Sequence, residues 1–255
     1  MTSVTPIQLF CFPHAGSSVA PYARWKRRVP EWLRVVPVEL PGRGRRTRER
    51  LESTFAGLLE RVLDDVRPDP ALPFALFGHS LGALLAFEVG CRIAARVGRA
   101  PLLVFASGTH APSRRDPERF AHLETDAELR AELVKLRGTP SGVLDSSELM
   151  ELTLPILRAD FRAAADYRDE PGRKLAVPLH VFGGSEDSTT SATLMAWREH
   201  TRAAFSLDVL PGGHFFVLEQ EAALLARIEQ RLVAALCGDA RRATSENFDI
   251  ATGSL

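Results

Sequence analysis

The sequence predicts an α/β fold: a mostly parallel central sheet flanked by helices, with a helical lid inserted late in the chain. Three observations carry this. Apolar runs of strand length recur along the chain, helical patterns separate the first four of them, and one long later segment contains helices only.

The strand candidates are residues 7–12, 35–40, 74–77, 102–106, 179–182 and 206–210. Several are apolar on both faces, as strands covered by helices on either side must be. Helical periodicity occupies 22–29, 53–66, 81–97, 192–204 and 219–236. The alternation of the first four strands with helices implies βα units joined by right-handed crossovers. Between 108 and 172 no strand pattern occurs. Helices are expected at 126–136 and 146–167, separated by a turn-rich 137–145, and this insertion is the expected lid over an active site. One domain is expected over 1–237. The polar, Ser/Thr-rich segment 238–255 is expected to be disordered.

The 255 residues suit a single domain of this class. Lys and Arg balance Asp and Glu at 32 each, so no global field draws the protein to nucleic acid or to a membrane surface. Cys11, Cys91 and Cys237 are too few and too scattered for a disulfide framework or a zinc site, and read as buried free thiols. Residues 1–8 lack a signal-peptide pattern and no run reaches the roughly 20 apolar residues of a membrane span. A cytoplasmic monomer without metal or cofactor of its own is expected.

The chemistry begins at Gly78-His79-Ser80-Leu81-Gly82. Gly-x-Ser-x-Gly is a weak pattern alone, but here an apolar strand precedes it and an apolar helix follows it. That is the setting of the nucleophile elbow of the α/β-hydrolase fold. Ser80 on a strained turn projects its hydroxyl, and the glycines two positions away remove the side chains that would block so tight a turn. The helix N-terminus faces the same point and favours negative charge. Of seven histidines, His14 and His79 lie in loops near this turn. His180 sits in a strand pattern, and His110, His122 and His200 fall on polar or helical segments. His214 alone follows a late strand through a glycine turn, Pro211-Gly212-Gly213, that can swing an imidazole to the sheet edge. The acid should lie between serine and histidine in chain order. Asp187, just past the fifth strand, is the first candidate and Glu186 its neighbouring competitor. Asp160 and Asp166, in the helical insertion, are poorer ones. Oxyanion donors are expected from the backbone N–H groups of Leu81 and of Ala15, with Gly16 as the alternative to Ala15.

These residues together with others resemble the discrete type II thioesterases of polyketide and nonribosomal peptide assembly lines. The matches are Phe12-Pro-His-Ala-Gly16, Glu39-Leu-Pro-Gly-Arg-Gly44, the Ser80 elbow, Leu157-Arg-Ala-Asp-Phe161, Phe182-Gly-Gly-x-x-Asp187 and Gly213-His-Phe-Phe216, covering all but the tail. The resemblance implies hydrolysis of acyl or aminoacyl thioesters from acyl or peptidyl carrier proteins, to clear stalled or mis-primed chains. It assigns the triad to Ser80, Asp187 and His214. The phosphopantetheine arm would belong to the partner. Leu81 stands where methionine is common, and Ser17 where a second glycine often follows.

Three other functions share the residues: a carboxylesterase or lipase acting on oxygen esters, an inactive hydrolase-fold binding module, and a macrocyclising terminal thioesterase. The last is usually fused to a synthase, whereas Met1 lies a few residues before the first strand. Arg43, Arg45, Arg46, Arg48 and Arg50 read as a solvated, partly ion-paired loop, with docking of an acidic carrier protein or of the pantetheine phosphate as the alternative. Glu39 reads as a hydrogen-bond partner. Phe215 and Phe216 should pack beneath the site, while Phe161 and Tyr167 face either the acyl chamber or the lid's own core.

Overall fold

Alternating apolar residues at both faces of a strand demand cover on both sides, and the computed structural model, which describes residues 5–136 and 146–252, has that cover. Six strands, β1 (Ile7–Phe12), β2 (Leu33–Pro37), β3 (Phe74–His79), β4 (Val104–Ser107), β5 (Leu179–Gly184) and β6 (Phe205–Leu210), form one sheet in the order β2-β1-β3-β4-β5-β6. Every pairing is parallel. Ile7, Leu9 and Cys11 of β1, with Ala75 and Phe77 of β3, point to one face. There they meet α1 (Ala20–Trp25) through Tyr22 and Trp25, and α8 (Glu221–Thr252) through Leu224, Ile228 and Leu232. Phe10, Phe12, Phe74 and Leu76 point to the other face, against α2 (Phe55–Asp65) and α3 (Leu81–Val97). Period-2 alternation in the strands thus becomes two cores.

The order of strands fixes where a site can form. From β1 the chain crosses to β2 on one side, then returns to β3 on the other side of β1. The loops after β1 and β3 therefore leave in opposite directions and open a crevice at the carboxyl edge.

The insertion contains α4 (Asp126–Leu136) and α5 (Ser147–Asp166), whose Leu129, Leu133, Met150, Leu154, Leu157 and Phe161 build a third, smaller core with Leu123. Ser146 caps α5 by accepting from Leu149 N–H at 3.3 Å, and Pro155 lies inside the helix. Tyr167 belongs to neither the chamber nor this small core. Its ring meets Phe55 at 4.6 Å and its hydroxyl donates to buried Glu88 at 2.8 Å, so it closes the end of α5 onto the main core. Two further helices, α6 (Ser191–Met195) and α7 (Phe216–Glu219), are short.

The turn-rich 137–145 stretch lies outside the described residues. The tail differs from expectation, since α8 continues as helix to Thr252. The sequence reading weighed the missing apolar stripe, whereas Ala240, Arg241, Arg242 and Ala243 are helix formers that extend a helix already begun. The thiols also depart from a uniform buried reading: Cys11 is buried, Cys91 half-buried and Cys237 exposed. Among the described residues no helix is long and apolar enough to cross a membrane.

Candidate active site

Ser80 follows β3 directly and has φ 55° and ψ −116°. It is the only described non-glycine residue at positive φ. Its neighbours explain how the turn closes. A Cβ on Gly78 would lie 1.8 Å from the Gly82 carbonyl oxygen, and a Cβ on Gly82 would lie 2.1 Å from the Phe12 oxygen. Glycine at both positions lets the first turn of α3 press against the end of β1. The Leu81 N–H, unpaired at the helix start, thereby sits beside the loop that carries Ala15.

Asp187 and His214 leave adjacent strands. Gly184 and Leu210 are paired at the ends of β5 and β6, and Glu186 N–H donates to the Gly212 carbonyl at 2.9 Å. Gly212, at φ +113°, turns the chain so that His214 Nδ1 lies 3.0 Å from Asp187 Oδ2. The Asp187 side chain is 2% exposed and that of His214 10%. Burial raises the Asp187 carboxyl, but the hydrogen bond from His214, its charge and bonds from Thr189 outweigh it and hold the group well below the usual carboxylate range. The competitor Glu186 is exposed. His214, Ser80, Leu81 and Ala15 line one cavity of about 480 Å³. No hydrogen bond joins the Ser80 hydroxyl to His214 in the structure, a gap common in enzymes without substrate.

His14, His79, His180 and His200 have hydrogen-bond partners elsewhere in the fold. His79 is fully buried, with Nδ1 3.0 Å from Ser107 Oγ and its ring 5.0 Å from that of His214. Burial, then His214 and His14, push its pKa well below the usual value. His14 is lowered to about 4, chiefly by burial and secondarily by His214 and Arg43. His180 makes a second Ser–His–Asp contact, 2.6 Å from Ser206 Oγ and 3.2 Å from Asp208, but it lies inside the sheet and does not line the cavity beside Ser80. His14 and His79 also give stability a pH dependence. Their folded pKa values lie below the unfolded value of about 6.5, so the unfolded chain takes up protons first as pH falls. The His14 contribution is then present above about 6.5 and lost between there and about 4, and that of His79 is lost in the same direction. Calorimetry at pH 7 and pH 4.5 should show a Tm loss of roughly 5 °C from this source, reduced in His14→Asn.

Asp160 and Arg43, neither placed at the site by sequence reasoning, organise the loop after β1. Asp160 Oδ2 accepts from Gly16 N–H at 2.7 Å and from Arg43 Nη1 at 2.5 Å, while Oδ1 accepts from Arg43 Nη2 at 2.7 Å. Arg43 also donates to the Ser17 carbonyl. Both side chains are buried, at 3% for Arg43 and 0% for Asp160. Gly16 takes φ +77°, and a Cβ there would lie 2.5 Å from Leu157. The Gly16 N–H is thus engaged, while the Ala15 N–H has no acceptor among the described residues. This arrangement accounts for two of the sequence motifs. In Leu157-Arg-Ala-Asp-Phe161, Leu157 packs on the loop, Asp160 bonds it and Phe161 stacks on Phe120 at 5.0 Å. Arg43 of Leu-Pro-Gly-Arg-Gly reaches Asp160, while Glu39 accepts from Val19 N–H at 3.1 Å.

The reading of residues 43–50 as a solvated, partly ion-paired loop is corrected at Arg43. Arg43 is buried by its carboxylate, and Arg46 pairs with Glu49 and Asp65, leaving Arg45, Arg48 and Arg50 exposed. Asp160→Asn should keep an acceptor for Gly16 but leave a buried guanidinium unpaired. A loss of about 3 kcal/mol in urea unfolding is expected, with kcat falling about tenfold while KM changes less. An unchanged unfolding midpoint would show the pair to be idle.

Comparison with known proteins places these features in a wider set. The family model described as "Thioesterase domain" matches residues 7–232. The chain is similar to linear gramicidin dehydrogenase LgrE of Brevibacillus parabrevis, at 36% identity over 93% of this chain and 92% of that protein. It is similar in structure to ClbQ from the colibactin NRPS/PKS pathway, with TM-score 0.85 and 30% identity over 91% of this chain and 99% of the other. The type II thioesterase BorB of the borrelidin cluster gives TM-score 0.79 and 38% identity over 90% and 94%.

Proposed function

The chain belongs to the thioesterase family, and on that premise we propose that it hydrolyses acyl or aminoacyl thioesters carried on the phosphopantetheine arm of acyl or peptidyl carrier proteins, clearing stalled or mis-primed chains from a polyketide or nonribosomal peptide synthase. The observation that supports it most is that His214, 3.0 Å from Asp187, lines the same lid-roofed cavity as the Ser80 elbow.

In the reading adopted here, His214 takes the Ser80 proton as the hydroxyl oxygen attacks the thioester carbonyl. Asp187 holds the imidazole with Nδ1–H toward itself and stabilises its protonated form. With His14 and His79 held neutral by burial, the positive charge formed in this step stays on His214. The Leu81 and Ala15 N–H groups receive the oxyanion. The leaving thiol, with a pKa near about 8.5, needs less help from an acid than an amine would. Water activated by His214 then attacks the acyl-enzyme and frees the acid. Each step uses side chains and backbone of this chain, and the pantetheine comes with the partner.

LgrE is named a dehydrogenase, but the Ser80 turn and the Asp187–His214 pair favour acyl transfer for this chain. A cytoplasmic monomer meeting a carrier protein is the corresponding setting. Turnover on carrier-bound thioesters, measured by mass spectrometry of the unloaded arm, should exceed turnover on matched oxygen esters by at least tenfold. Equal turnover would favour a general esterase.

A further inference from the structure

The cavity beside Ser80 contains charge that these steps do not use. Arg115, in the loop after β4, lines it. The guanidinium donates to Thr109 Oγ1 at 3.3 Å and to the Ala164 carbonyl at 2.9 Å, and it lies 5.7 Å from the centre of the Tyr167 ring. These bonds use two of its five N–H donors. No carboxylate among the described residues forms an ion pair with it. Burial draws its pKa down to about 10, and no carboxylate is among the groups acting on it, so it keeps its charge at neutral pH. Arg119 lines the same cavity, donates to Ser188 Oγ at 3.1 Å and has no ion-paired carboxylate among the described residues either. Asp116 is the one described carboxylate on the cavity wall, and its Oδ1 accepts from Glu118 N–H at 2.9 Å. His110, also on the wall, is lowered by burial and then by Arg119 and Arg115, which outweigh the opposing effect of Asp187.

A desolvated cation without a counter-ion is costly, and a planar guanidinium fork matches a carboxylate. We propose that Arg115, assisted by Arg119, is an anion subsite for a carboxylate at the far end of the acyl group, so that half-thioesters of dicarboxylic acids are substrates. This deepens the thioesterase reading and rests on it. The phosphate of a pantetheine arm offers similar chemistry, but both partners of Arg115 are buried, Thr109 at 7% and Ala164 at 5%, which puts the guanidinium on the inner wall. Exposed Arg24 on α1 lines the same cavity and is better placed for a phosphate arriving from solvent.

The test uses N-acetylcysteamine thioesters, which carry no phosphate. The wild-type protein should cleave the succinyl thioester with kcat/KM at least equal to that for the butyryl thioester. Arg115→Leu should lose about 30-fold more on succinyl than on butyryl, and Arg115→Lys should recover part of that difference. Free succinate should compete with the butyryl substrate in the wild-type protein, a readout that does not depend on any variant folding. Cleavage of butyryl with refusal of succinyl would overturn the subsite alone, as would equal losses on both in Arg115→Leu. Dependence on Arg115 appearing only with phosphopantetheine thioesters would assign the guanidinium to the phosphate and overturn it too. Failure to cleave either thioester, on this handle or on a carrier protein, would overturn the hydrolase reading and the subsite with it.

Discussion

Ser80→Ala should abolish thioester hydrolysis, with a fall of about 10⁴-fold or more, while leaving the melting temperature within about 1 °C of the original. The Ser80 hydroxyl donates to no described group and none donates to it, so its removal strands no buried partner. The Cβ and the strained φ of 55° remain as they were. Ser80→Gly should be equally inactive yet more stable, because glycine occupies that backbone region without the ~1–3 kcal/mol strain carried by other residues. A pair of variants alike in activity and different in Tm would separate the chemistry of the hydroxyl from the cost of presenting it. A fluorophosphonate should label the wild-type protein at Ser80 and leave Ser80→Ala unmodified. Near-normal turnover in folded Ser80→Ala, shown by circular dichroism, would reject the nucleophile.

Asp187→Asn should lower kcat by about 10⁴-fold at neutral pH. The carboxylate accepts from His214 Nδ1, which leaves Nε2 free to take a proton from serine. An amide nitrogen in its place donates to Nδ1 and forces the proton onto Nε2, the tautomer that cannot act as base. Because His214 and Thr189 hold the Asp187 carboxyl low, it stays ionised wherever the protein is folded and active, so the loss should not be recovered at any pH from 6 to 9. Stability has the corresponding sign: the depressed folded pKa contributes fully above the unfolded value near 3.9 and is lost only as pH falls below it. Glu186→Gln is the control, since its exposed side chain touches neither His214 nor Ser80, and its rate should change less than twofold. Steady-state kinetics on one thioester across that pH range decide both.

Much of this was legible in the residue order. Strands covered on both faces write continuous apolar runs, so all six were located, with β1 and α3 matching at both ends. Ser80, Asp187 and His214 each follow a strand, so counting strands was enough to bring them to one edge. What could not be read were contacts made across the chain without periodic signature. Arg43 sits in a run of arginines that looks solvated, and its carboxylate is 117 positions away in a helix that reads as lid. Only the topology, which lays α5 across the loop after β1, shows that this pair is buried. Tyr167 was similarly ambiguous, because helical spacing gives the face of α5 but not which core that face meets. Arg115 stood out in no pattern, since its importance lies in the lack of a described counter-ion, a property of space.

Two ties in the second half of α5 and a third at Tyr167, just past its end, limit where the insertion can change shape. Asp160 to Gly16, Asp166 to the Phe55 N–H and Tyr167 to Glu88 rivet that half to the body. The half before Pro155 packs mainly on α4, and proline there supplies no N–H to the helical ladder. Any widening of the roof for bulkier cargo therefore falls on 147–154 and α4. Substitutions there are expected to reshape the cavity wall while leaving the three ties to the body in place.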